Sequence, residues 1–144
     1  MTSVFILDTD HLGILQGRKL PEADRLLARI AARTPTEFFT TIVSFHEQVA
    51  GWSAYLAKAR DRAGVVRAYR GFQQILADFA RAQVLPFDEA AGARFDALRA
   101  GRVRVATMDL RIASIALANG FTLLTRNLVD FRLVPGLAVE DWTT

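Results

Sequence analysis

Asp109 stands near the head of Thr107-Met-Asp-Leu-Arg-Ile-Ala-Ser-Ile-Ala-Leu-Ala-Asn-Gly120, which runs straight into Phe121-Thr-Leu-Leu-Thr-Arg-Asn-Leu-Val-Asp-Phe131. The stretch from Ile112 to Ala118 is apolar on nearly every side, Asn119-Gly120 is a helix stop, and Phe121 to Thr125 reads as a short strand ending in a polar turn. An acid at the start of a buried helix costs folding energy unless something cationic meets it. Two further acids lie just past apolar strands: Asp8 after Ser3-Val-Phe-Ile-Leu, and Glu47 after Glu37-Phe-Phe-Thr-Thr-Ile-Val43. In open α/β sheets, ligands bind in the crevice beyond the carboxyl ends of the strands, so Asp8, Glu47 and Asp109 are candidates for one cluster. Carboxylates within about 4–6 Å of each other raise each other's pKa, and a cluster ionised at pH 7 needs a divalent cation such as Mg²⁺ or Mn²⁺. A bound metal lowers the pKa of a coordinated water, so no side chain need be the nucleophile.

Each acid also has a structural role open to it. Asp8 could cap the helix that begins near His11, although Asp10 sits closer to that start and would leave Asp8 free for chemistry. Ser44-Phe-His-Glu47 has the form of a capping box with Glu47 at its third helical position. Asp109 falls in a first turn, where the helix dipole favours an anion. Only the convergence of all three favours chemistry. His46 points about 100° round the helix from Glu47 and is expected to pack or face solvent. Thr9 and Thr125, at strand ends, could hold water or substrate through their hydroxyls or simply stabilise turns.

The elements that must position these residues alternate between strand and helix, as in a parallel α/β sheet. Strands are expected at 3–7, 37–43, 83–86, 121–125 and 137–140, and helices at 11–16, 21–33, 44–58, 60–81, 88–100 and 107–119. Pro21 suits a first helical turn, Thr34-Pro35 breaks before a strand, and Asp88 reads as an N-cap. Val65, Tyr69, Phe72, Leu76 and Phe79 form a stripe at helical spacing, for which core packing is the expected role and a partner surface the alternative.

With 144 residues, 51% of them hydrophobic, the chain is sized for one domain over 1–144. No run of about 18 apolar residues is present and no basic segment precedes the first strand, so a cytoplasmic protein rather than a membrane or secreted one is expected. The absence of cysteine excludes disulfides and thiolate metal sites, and His11 and His46 alone are too few for a typical zinc site. Any metal here is hard and oxygen-bound. The net charge is +3, and of eighteen basic residues only Lys19 and Lys58 are lysine. Sixteen arginines suit bidentate phosphate contacts, although each one alone is equally well explained as a solvated residue.

Leu-Asp-Thr-Asp at 7–10, the Glu47 helix, Asp109-Leu-Arg-Ile-Ala and Leu-Thr-Arg-Asn at 124–127 together resemble a PIN-domain ribonuclease of the VapC toxin type, over essentially the whole chain. The resemblance implies a three-layer α/β/α fold with a mainly parallel sheet. It also implies a Mg²⁺- or Mn²⁺-dependent endoribonuclease acting on RNA, with tRNA or rRNA the expected class, usually homodimeric and held in check by a VapB-type antitoxin. By that resemblance Asp8, Glu47 and Asp109 are the catalytic and metal-binding acids; Thr9 and Thr125, from their strand-end positions, and Arg126, from its place beside Asn127, are the candidate substrate contacts. The chain departs from the pattern at the fourth acidic position, where Asn127 stands and Asp130 follows three residues on. Asn127 supplies a carbonyl oxygen but no charge, and Asp130 is the other candidate ligand. A housekeeping RNA-processing nuclease and a catalytically weak RNA-binding PIN domain are the alternatives; a response-regulator receiver would need a lysine after a late strand, and neither Lys19 nor Lys58 is so placed.

Arg94, Arg99, Arg102, Arg104 and Arg126 cluster in sequence near Asp109 or beside Asn127 and are the candidate phosphate contacts. RNA affinity is expected to fall with rising salt, and Arg126→Ala to reduce the slope of log affinity against log salt by about one contact. An affinity indifferent to salt would point to another kind of ligand.

Overall fold

Phe5-Ile6-Leu7 dictates the layering. Successive strand residues leave opposite faces, and here both faces are apolar: Phe5 and Leu7 pack with Leu26, Phe38, Leu124 and Trp142, whereas Ile6 packs with Val43, Ile112, Ile115 and Leu123. A strand buried on both faces needs cover on both. The computed structural model, which describes residues 3–17 and 21–144, meets that need with a five-stranded sheet between two helical layers. Lys19 lies outside the described residues.

The strands are β1 (Phe5–Leu7), β2 (Phe38–Thr41), β3 (Val84–Leu85), β4 (Thr122–Leu124) and β5 (Val139–Glu140), in the order β3-β2-β1-β4-β5. Every pairing is parallel, with Ile6 opposite both Phe39 and Leu123. The chain moves one way from β1 to β2 and β3 and the other way from β4 to β5. The order therefore reverses between β1 and β4, which opens a crevice at their carboxyl ends. Helices α1 (Thr9–Gly17) and α2 (Pro21–Ala31) cover one face; α3 (Ile42–Lys58), α5 (Glu89–Ala100) and α6 (Thr107–Asn119) cover the other. α4 (Arg62–Ala80) packs on α3, and the short α7 (Leu128–Phe131) follows β4. No helix among the described residues is long and apolar enough to cross a membrane.

The α/β/α architecture expected from sequence is present, with shifted boundaries. Residues 42 and 43 are helical, because Thr41 caps α3 by accepting the Ser44 backbone N–H at 3.1 Å. The expected capping box at Ser44–Glu47 is therefore wrong: Ser44 occupies the third helical position and Glu47 lies a turn further in. α1 starts at Thr9, two residues before the expected 11, because Asp8 accepts the Leu12 N–H through its backbone oxygen. Asp10 thus lies inside the first turn and is not the cap. Asp88 caps α5 as expected, accepting from the Ala91 N–H at 3.0 Å.

The stripe on α4 also departs from expectation. Val65, Tyr69 and Leu76 are exposed, Tyr69 by 57% and Leu76 by 63%, so core packing does not account for them. Of the stripe, Phe79 is buried as expected, and the rest of the buried face is Ala68, Gly71 and Ile75. Small residues there let α4 approach α3 closely, and the face of the Trp52 indole lies where a side chain at Gly71 would sit. Gly71→Ala is expected to destabilise the protein by roughly 1–3 kcal/mol through overpacking. A urea midpoint unchanged from wild type would show that α3 and α4 have room to spare.

Candidate functional site

Asp8 leaves β1 into the crevice and is buried, with 5% of its surface exposed. One carboxylate oxygen accepts the Thr9 backbone N–H at 2.8 Å and the other accepts the Thr125 hydroxyl at 2.8 Å. Thr125 follows β4, the neighbour of β1, so the sheet itself brings residues 117 positions apart into contact. Burial pushes the Asp8 carboxyl up to about 7; Asp10 and Asp109 act in the same direction, against the bonds from Thr125 and Thr9.

Asp109 reaches the same edge from α6. That helix ends at Gly120 in the left-handed conformation (φ 69°), which glycine adopts without steric cost, and the chain turns back into β4. Antiparallel to the strands, α6 presents its first turn and the positive end of its dipole at their carboxyl ends. Burial, followed by Glu47, Asp130 and Asp10, pushes the half-buried Asp109 up to about 6. Asp8 and Asp109 thus each lie near enough to other acids for like charge to add to the effect of burial. Glu47 projects from α3 and accepts the Thr9 hydroxyl at 2.9 Å, while Thr9 also shares a hydrogen bond with the Ser44 hydroxyl at 2.9 Å.

The fourth corner is the turn after β4. Asn127 donates from its amide nitrogen to Asp130 at 3.0 Å, and its backbone N–H donates to the Thr125 hydroxyl oxygen at 3.0 Å. The two alternatives for the missing acid therefore stand together on one turn. Arg126 extends its side chain into solvent while its backbone N–H donates to Asp10 at 3.0 Å. Arg94, Arg99, Arg102 and Arg104 are exposed on α5 and the loop after it, Arg99 with its guanidinium 5.7 Å from the Phe95 ring centre. His46 is exposed, as expected of a residue off the Glu47 face.

Sequence reasoning missed Asp10 and His11 as parts of the site. His11 is fully buried and hydrogen-bonds Asp10 through Nδ1 at 2.9 Å; Asp10 also receives the Arg126 N–H and the Thr125 hydroxyl. Burial alone would raise the Asp10 carboxyl, but the hydrogen bonds from His11, the Arg126 backbone and Thr125 hold it below the usual range. The available signal was an acid and a histidine adjacent in sequence on the first turn after an apolar strand, where one cap suffices.

Among the described residues, none of Asp8, Glu47, Asp109 and Asp130 forms an ion pair with lysine or arginine. Nor, among those residues, do three such side chains already stand in metal-holding geometry: Glu47 is turned to Thr9 and Asp130 to Asn127. The donors are all hard oxygens with excess negative charge, a set that fits Mg²⁺ or Mn²⁺ and not a softer metal. A cavity of about 690 Å³ opens elsewhere, walled by Ile30, Pro35, Phe38, Arg81 and Gln83, and holds none of these acids.

Residues 5–137 match the PIN domain family. No curated protein matches the chain. Solved structures do: a chain of DNA-bound VapBC from Salmonella typhimurium is 23% identical with a TM-score of 0.78, covering 98% of this chain and 99% of its own. One from VapBC-1 of nontypeable Haemophilus influenzae is 20% identical at 0.72, covering 98% and 99%. One from a toxin-antitoxin complex of Klebsiella pneumoniae is 19% identical at 0.66, covering 98% of each chain. At these identities the likeness is one of fold.

Because Asp8 and Asp109 hold their protons more tightly folded than unfolded, metal-free stability should fall as pH rises from about 4 to about 7. Asp10 acts with the opposite sign, and only at lower pH. Asp8→Asn removes the larger penalty and is expected to stabilise the metal-free protein by roughly 2–4 kcal/mol at pH 8 and negligibly at pH 4. Thermal melts of both proteins at the two pH values test this, and an equal effect at both would refute it.

Proposed function

The chain belongs to the PIN domain family, and on that premise we propose that it is a Mg²⁺- or Mn²⁺-dependent endoribonuclease, the cytoplasmic toxin of a VapBC-type toxin-antitoxin pair. The observation that carries the nuclease reading is the crevice of acids between β1 and β4. Asp8, Glu47, Asp109 and Asp130 border it with no lysine or arginine ion-paired to them among the described residues, and two of them are pushed up to about 7 and 6. Such an arrangement destabilises the protein and makes sense where a divalent cation supplies the missing charge.

Asp8, Glu47 and Asp109 would hold that cation, with Asp130 and the Asn127 carbonyl on the remaining side. The cation supplies an acidified water and positive charge at the scissile phosphate. The chain's own residues prepare the site. The Thr125 hydroxyl and Thr9 N–H fix both oxygens of Asp8, and the Thr9 hydroxyl holds Glu47. Arg126, whose side chain is exposed, would pair with an RNA phosphate as a bidentate guanidinium.

The toxin reading rests on the VapBC and toxin-antitoxin structures that share the fold. The exposed apolar surface of α3 and α4 supports a protein partner: Tyr55, Val65, Val66, Tyr69 and Leu76 are each between 38% and 63% exposed. Surface of that kind suits an antitoxin helix or a second copy of the chain.

Glu47→Gln keeps the length and hydrogen bonding of the side chain and removes its charge. Because Glu47 is not a cap, its Tm should stay within a few degrees of wild type while RNA cleavage and Mn²⁺ binding fall, and Asp109→Asn should behave alike. Cleavage of total cellular RNA by either variant at the wild-type rate in saturating Mn²⁺ would falsify the site assignment. Expression of the wild-type chain alone should arrest growth of a bacterial host and expression of Asp8→Asn should not. A harmless wild type that cuts RNA in vitro would make the protein a housekeeping nuclease.

A further inference from the structure

We infer that Asp10 is a positioning residue: a carboxylate latch that pins the Thr125–Asn127 turn to α1 and so holds one half of the acid site against the other. The two groups that hold its oxygens are both N–H donors. His11 Nε2 accepts the Trp142 backbone N–H at 3.1 Å, which leaves the ring proton on Nδ1, directed at one Asp10 oxygen 2.9 Å away. The other oxygen receives the Arg126 backbone N–H at 3.0 Å and lies 3.2 Å from the Thr125 hydroxyl. Its two oxygens are thus engaged by the two elements they join, α1 and the turn after β4.

The latch acts through what the turn carries. Thr125 orients Asp8, and Asn127 is tied both to the Thr125 hydroxyl and to Asp130. An amide at position 10 cannot replace the carboxylate. With its oxygen towards His11, its NH₂ meets the Arg126 N–H; flipped, it meets the His11 Nδ1–H. Either way one donor is left facing a donor. Asp10→Asn therefore keeps Asp8, Glu47 and Asp109 and frees the turn.

The inference rests on the nuclease reading only for its effect on metal and RNA; the latch is tested without either. In wild type the Arg126 amide should be protected from hydrogen exchange although the residue is exposed. In Asp10→Asn that protection should fall about tenfold or more, with the amides of Leu123 and Leu124 in β4 unchanged. Mn²⁺ affinity, followed by the electron spin resonance of free Mn²⁺, should weaken about tenfold, as for other groups that orient ligands. RNA cleavage should return to within about threefold of wild type once Mn²⁺ is saturating, which Asp8→Asn cannot do. An Arg126 amide equally protected in wild type and Asp10→Asn overturns the latch, and so does cleavage that saturating Mn²⁺ fails to restore, which would make Asp10 a ligand. Should Asp10→Asn fail to fold, wild type decides: an Arg126 amide exchanging at the rate of an unstructured peptide overturns the proposal. If wild type neither binds Mn²⁺ nor cuts RNA, the nuclease reading falls while the exchange result still stands or falls on its own.

Discussion

Like charges gathered in a crevice of low dielectric repel, and this fold has to bring them together nonetheless. Asp8, Glu47, Asp109 and Asp130 come from four separate elements that meet only because a parallel sheet points all its carboxyl ends one way and its strand order reverses between β1 and β4. Three of the four are held by a neutral donor from another part of the chain or the next turn: Thr125 on Asp8, Thr9 on Glu47, Asn127 on Asp130. Hydroxyls and amides orient a carboxylate without cancelling it. Lysine or arginine in the same places would stabilise the fold and fill the site with the charge it is built to attract.

The hydrophobic layers supply the stability that this arrangement consumes. β1 buries side chains on both faces, α6 is apolar almost all round from Leu110 to Ala116, and Trp142 closes the far side against Phe5 and Phe38. α4 is the exception, since it gives only its small-residue face to α3 and leaves bulky apolar side chains in solvent. The helical hairpin is thus docked through Gly71 and Trp52 while its outer surface remains available.

The fold was legible in the sequence because the signals were local: apolar runs of strand length and helices punctuated by Gly120 and Asp88; an acid following each of two such strands is what singled out Asp8 and Glu47 beside Asp109. Boundaries failed where two local signals competed. Thr-Thr-Ile-Val looks like a strand to its end by β-propensity, yet the Thr41 hydroxyl captures the Ser44 N–H and starts α3 inside it. The α4 stripe failed for a different reason. Periodicity shows that one helical face is apolar but not which face the neighbour takes, and a glycine that admits an indole has no hydropathy signal. Asp10 was misread as a cap because its partners, Thr125, Arg126 and through His11 the Trp142 backbone, are more than a hundred residues away.

That separation in sequence governs the order in which the molecule can be made. β1 is synthesised first, but its pairing with β4 needs residues 122–124, and buried His11 finds its acceptor role only with the Trp142 N–H. While a ribosome is still extending the chain, Asp8 has no Thr125, the crevice has one wall, and the earliest helices have no sheet to close over. Contacts this distant are slow to form and are gained together near the end. A nascent chain that has not yet presented residues 122–142 therefore lacks the Thr125 hydroxyl on Asp8 and the Trp142 N–H on His11.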